Sequence, residues 1–240
     1  TVGTGIGNAI TLGRVNGSGG TPNLTINTTG AVSVGAVGST IGTVTVTQSG
    51  GTTFNSTVSA ATITLSNSTA AANITFSGNV TATTGLSAAA GTAAYNVVFN
   101  GSSNTIAGAT TFSNSGTVTF GNGGDTIAFT GGVTATAPSS KIINGTITAA
   151  GSGVINLGTS AVTISGDSTV GGTSTGQITL GNTTLATGTT LTVGVGAATP
   201  ITSSFLIVKL RSFRCFPPDI PLISRNVSLL IFDLDDRESF

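Results

Sequence analysis

Two stretches, Thr43-Val44-Thr45-Val46-Thr47 and Thr62-Ile63-Thr64-Leu65, decide the fold. In each, β-branched or apolar residues alternate with threonine, the period-2 pattern of a strand that buries one face and wets the other. Working outward, the pattern recurs at Ala9-Ile10-Thr11-Leu12, Asn73-Ile74-Thr75-Phe76, Thr117-Val118-Thr119-Phe120 and Gln177-Ile178-Thr179-Leu180. Helical periodicity is absent, and 36 glycines in 240 residues would break helices at about 1 kcal/mol each. The alternation places Val44, Val46, Ile63, Leu65, Ile74, Phe76, Val118, Phe120, Ile178 and Leu180 on inward faces.

Thr-x-Thr triplets beginning at Thr43, Thr62, Thr81, Thr117, Thr134, Thr146, Thr173 and Thr190 lie 19, 19, 36, 17, 12, 27 and 17 residues apart. Most of these intervals cluster near 18 or twice 18. The spacing predicts an all-β chain, a right-handed parallel β-helix of roughly 18–20 residues per coil. Composition fits that prediction. Outward Thr, Ser and Asn form ladders between coils, stacked like charges repel, and Asn122-Gly123-Gly124 and Asn144-Gly145 supply tight corners. A β-sandwich of hairpins explains the alternation equally well and is the alternative.

The chain divides unevenly. Residues 1–203 hold all 36 Gly, all 47 Thr and four charges, Arg14, Asp125, Lys141 and Asp167. Residues 204–240 hold ten charges, the single Cys215 and neither Gly nor Thr. The expected organisation is therefore a solenoid over 1–203 and a compositionally distinct tail over 204–240. An out-of-frame or otherwise non-native end explains the tail, and a second small domain is the other reading. The tail is expected to pack poorly on the rod; burial of Leu206, Ile207 and Leu210 against the last coil would mean a cap instead. The text starts at Thr1 without a leader, and it is read as a fragment.

Charge excludes more than it identifies. Only 6% of residues are charged, net charge is zero, and there is no His, Met or Trp. Such a chain lacks the side chains from which catalytic sites, metal centres and nucleic-acid surfaces are built. No enzyme activity, cofactor, metal or nucleic-acid partner is expected, and no run of about 18 apolar residues spans a membrane. Local signals have plain readings. Gly121-Asn122-Gly123-Gly124-Asp125-Thr126-Ile127 has the look of one calcium-binding repeat but offers one carboxylate, so it reads as a corner. Asp125 and Asp167, two coils apart, read as turn caps rather than a glycosidase pair. Gly3-Thr4-Gly5-Ile6-Gly7 lacks the helix a phosphate loop needs. Eleven Asn-x-Ser/Thr sequons, among them Asn55, Asn67, Asn73 and Asn182, read as ladder asparagines rather than glycan sites.

The segments 73–83 (NITFSGNVTAT), 127–136 (IAFTGGVTAT) and 142–148 (IINGTIT) resemble the passenger domains of bacterial autotransporter adhesins. They are especially similar to rickettsial surface cell antigens, including the outer membrane protein B family. The resemblance covers most of residues 1–203. It implies a β-helical passenger on the bacterial surface, anchored in the outer membrane by a C-terminal translocator barrel missing here. It also implies attachment to a host-cell or bacterial surface receptor, with no binding residues carried over. Outward Thr-x-Thr ranks also suit an ice-binding solenoid, and a surface-layer or fibre protein is a further alternative.

Overall fold

The computed structural model describes residues 1–3, 7–194 and 201–207, the last five of these as backbone only. All of its regular structure is β, and every strand pairing among the described residues is parallel. A sandwich of hairpins needs antiparallel neighbours, so that alternative falls. The chain is a right-handed parallel β-helix with three walls.

In the first wall Ile10–Leu12 pairs with Val32–Val34, which pairs with Thr52–Phe54, Asn73–Phe76 and Asn96–Phe99 in turn. The ladder then passes through 118–120, 140–143, 161–164, 183–185 and on to 206–207. The second wall climbs from 58–60 through 80–82, Ser103–Ile106, 126–129, 146–149 and Ser168–Gly172 to Leu191–Val193. The third runs from Leu24–Asn27 through 44–46, 63–65, 86–88, Thr110–Phe112, Val133–Thr134, Ile155–Asn156 and 178–180 to 201–203.

Partners in successive coils are 19 to 24 residues apart, for instance Val44↔Ile63 and Ser87↔Thr111. First-wall partners lie 20 to 23 apart. The coil is therefore longer than the 18–20 residues expected from the threonine spacing. The reason lies in the register: Thr62 pairs with Gly85, not Thr81, and Thr81 pairs with Ser59 on the second wall. The interval from Thr62 to Thr81 measures a step between walls.

All ten residues expected inside are buried, none more than 3% exposed. Burial of such side chains contributes about 1.5–3 kcal/mol each. The first-wall column stacks Phe54 on Phe76 and Phe76 on Phe99, with centroids 5.1 and 5.2 Å apart. One coil then sends a phenyl inward from every wall. Phe112, Phe120 and Phe129 meet edge to face at 5.8 to 6.2 Å, the favoured geometry for aromatic quadrupoles.

The two glycine corners meet as predicted. Asn122-Gly123-Gly124 and Asn144-Gly145 both turn the chain from first wall to second, one coil apart. Gly145 has φ +146°, and a Cβ there would lie 2.4 Å from the Asp125 carbonyl oxygen. Strand Ile201–Ile207 crosses the composition boundary near residue 203 and pairs with Ile178–Leu185, Leu206 opposite Thr183 and Ile207 opposite Thr184. The side chains of Leu206 and Ile207, Leu210, Cys215 and the rest of 208–240 lie outside the described residues.

Candidate functional site

The register builds one feature along the outer surface that no single coil contains. On the third wall the partners Thr25, Thr45, Thr64, Ser87, Thr111, Thr134, Asn156, Thr179 and Thr202 form one unbroken file. Each is half-buried or exposed, and neighbours are about 4.8 Å apart, the strand spacing. The first wall carries a similar file, Thr11, Ser33, Thr53, Thr75, Val98, Thr119, Ile142, Thr163 and Thr184, in which Val98 and Ile142 interrupt the hydroxyls.

The second file that Thr-x-Thr would need is scattered. Thr43 and Thr62 lie on the third wall, Thr81 and Thr146 on the second, and Thr117 on the first. Beside the third-wall file, Thr62 is followed by Gly85. A flat double rank of threonines is therefore confined to the first few coils.

Amides extend the ladders between coils. Asn96 Nδ2 donates to Asn73 Oδ1 at 2.9 Å, its Oδ1 accepts from the Thr117 amide at 2.7 Å, and Thr117 Oγ1 lies 2.9 Å from Ser140 Oγ. Asn55 donates to Ser33 Oγ at 2.8 Å, and Asn67 exchanges bonds with Thr92 at 2.9 Å. Three of the named sequon asparagines, Asn55, Asn67 and Asn73, thus serve in ladders, while Asn182 is exposed. Such bonds contribute about 1 kcal/mol each and fix register more than they add strength.

Asp125 and Asp167 both cap turns at the corner between first and second walls. Asp125 is 5% exposed and its Oδ2 accepts from the Asn122 amide at 2.7 Å. Asp167 is exposed and its Oδ1 accepts from the Thr190 amide at 2.8 Å. One carboxylate is turned in and the other out, so they do not share a site. Among the described residues no three His, Cys, Asp or Glu side chains come together to hold a metal. Thr4, Gly5 and Ile6 of the glycine-rich start lie outside the described residues.

Sequence reasoning missed the interior polar groups. Lys141 is fully buried and stands in the first-wall inward column between Val118 and Val162. Its Nζ donates to Ser160 Oγ, and Ser160 Oγ donates to the Pro138 carbonyl at 2.7 Å. Burial disfavours the charged amine and pushes its pKa down to about 8. The signal was available: in Ser140–Ala149 the positions 141, 143, 145, 147 and 149 share one parity and all are buried.

Asn104 occupies an inward position of the second wall. It accepts from the Val80 amide of one neighbouring coil at 3.0 Å, and donates within its own turn to Gly101 O at 2.6 Å and toward Thr126 O of the other at 3.3 Å. Tyr95 is buried with its hydroxyl 2.6 Å from the Ala89 carbonyl and 3.1 Å from that of Leu65, and burial raises its pKa. Comparison with protein-family models, with curated proteins and with solved structures finds no match.

Proposed function

We propose that the chain is part of a surface-displayed adhesive passenger rod of the autotransporter type, without enzyme activity. In this reading the rod is held at the outer membrane by a translocator barrel in the full-length protein. It attaches to a receptor on a host cell or another bacterium. The observation that supports the reading is the unbroken third-wall file from Thr25 to Thr202. Hydroxyls and amides repeated at strand spacing offer many weak, identical hydrogen bonds, and copies side by side on a surface convert modest affinity into avidity. With four charges in residues 1–203, attachment depends little on ionic strength.

Two other structural roles use the same surface. An ice-binding rod needs a flat double rank of threonines, which the register confines to a few coils. A surface-layer or fibre protein needs lateral contacts between rods.

The test coats beads with the full chain and measures attachment to host and bacterial cells from about 50 to about 500 mM salt. Attachment that varies less than about twofold over this range, and is lost when Thr111 and Thr134 are both changed to Lys, is the expected result. The same double change at Thr75 and Thr119 on the first wall serves as control. Strong inhibition of ice recrystallisation without cell attachment would replace the adhesive reading, as would ordered side-by-side assembly of rods without attachment.

A further inference from the structure

The corner between third and first walls holds a pair of side chains that the adhesive reading does not use. Lys141 enters the apolar column with Val118 below and Val162 above, so its methylene stem is packed and its amine is carried to the corner. There it meets Ser160, which is half-buried in the link that precedes Ala161–Ile164. The amine and the serine hydroxyl are hydrogen-bonded, and Pro138 O holds the hydroxyl from the other side at 2.7 Å. The backbone is tight around the pair: Gly158 has φ +67°, and a Cβ on Gly181 would lie 2.3 Å from Ser160 O.

This is the arrangement that turns a hydroxyl into a nucleophile: a base in hydrogen-bond reach, desolvated by an apolar pocket and fixed by packing. We propose that Ser160 and Lys141 form a nucleophile and general-base pair in the wall of the rod, and that Ser160 is a site at which the chain accepts an acyl group from a small activated ester. Rotation about the Cβ–Oγ bond turns the serine proton from Pro138 O to the lone pair of the neutral amine. Oγ then attacks the carbonyl carbon, its proton passes to Nζ, and the ester's C–O bond breaks. The proton follows to the departing alkoxide, leaving an alcohol and an acylated Ser160. The reaction is stoichiometric and leaves the rod modified.

The base function depends on an uncharged amine, which burial favours above about pH 8. The groups packed around Lys141 bring no other titratable side chain to it. The strand segments 117–120 and 161–164 and the links 113–116, 135–139 and 157–160 carry none. Asp125, farther along the lower strand, is engaged with the Asn122 amide beyond the corner. Tyr95 has its hydroxyl on carbonyls of lower coils.

The test treats the full chain with a fluorophosphonate, in which Oγ attack on phosphorus expels fluoride, and maps labelled peptides by mass spectrometry over time. Labelling at Ser160 is expected to exceed that at the half-buried Ser66 and Ser113 by a factor on the order of 10². That ratio should rise with pH through about 8, and it should vanish in both Ser160→Ala and Lys141→Met. Circular dichroism checks that Lys141→Met is folded. Should it not fold, the wild-type profile decides: a ratio near one, or one unchanged between about pH 7 and about pH 9, overturns the proposal. Wild-type labelling in a folded Lys141→Met does the same.

Discussion

Replacing Lys141 by Met leaves a chain of similar length in the apolar column and removes the buried amine. Burial moves the lysine pKa from the ordinary 10.5 to about 8. At about 1.36 kcal/mol for each pKa unit, the folded rod carries about 3 kcal/mol of penalty wherever the amine is charged in both states. The sign is fixed by where the proton binds. The unfolded chain holds it up to about pH 10.5 and the folded chain loses it near 8, so between these values unfolding takes up a proton and stability rises with pH. Below about pH 8 the whole penalty is present. Loss of the bond to Ser160 costs about 1 kcal/mol, which leaves Lys141→Met about 2 kcal/mol more stable than wild type at pH 7.

Tyr95 acts in the opposite direction and sets the upper limit of the window. Its phenol stays protonated in the fold while the unfolded chain ionises from about pH 10 upward, so stability falls there. Wild type should therefore show a maximum near pH 10, and Lys141→Met should keep the fall but lose the rise before it. Urea titration followed by far-ultraviolet circular dichroism at several pH values between about 7 and about 9.5 reads this directly. The reasoning is refuted by a Lys141→Met midpoint at or below wild type at pH 7. A wild-type midpoint that does not rise with pH across the window refutes it too.

Phe76→Ala should destabilise by about 3–5 kcal/mol, since Phe76 is fully buried between the stacked rings of Phe54 and Phe99; a loss under about 1 kcal/mol would mean the phenyl column is loosely packed. Gly145→Ala puts a Cβ 2.4 Å from the Asp125 carbonyl oxygen at φ +146°, and should cost more than about 1 kcal/mol, with faster proteolysis between 121 and 145 as the readout. Asn104→Leu strands the Val80 amide that the side chain satisfies and should cost about 1–3 kcal/mol, measured by the same urea titration.

The alternation at Thr43–Thr47 and Thr62–Leu65 was enough to place ten interior residues, because in a strand parity alone decides which way a side chain points. The period was not readable in the same way. Thr62 and Thr81 look like one repeat, yet Gly85 is the true partner of Thr62, and spacing in sequence cannot tell a step up the rod from a step around it. Parity would also have placed Lys141 inside, on the same face as Ile143 and Ile147. What parity could not supply is Ser160, brought to the amine by a link one coil above whose conformation depends on the glycines around it.

The tight corner does not stay on one edge of the rod. In Val37–Gln48, Val58–Leu65 and Val80–Ala88 the strand runs from second wall to third with little interruption. Thr117–Phe129 and Ser140–Ala149 run through from first to second, and Ile178–Leu185 from third to first. The links between third and first walls shorten accordingly, from residues 66–72 and 89–95 to 157–160 and finally Gly181. Where those links are long, Tyr95 reaches across to the Leu65 and Ala89 carbonyls; where they shorten, Lys141 reaches Ser160. Both side chains join an apolar stem in the column to a polar tip at the corner carbonyls, so each fills interior space and satisfies backbone that the varying links leave without a ladder partner. The outward third-wall file stays in register through all these changes, because parallel pairing fixes the height of each strand regardless of the length of the link that delivers it. Selection acting on the file would therefore preserve the residue at one rank of each coil and leave the number of residues between ranks free to drift, which is the drift seen in the threonine spacing.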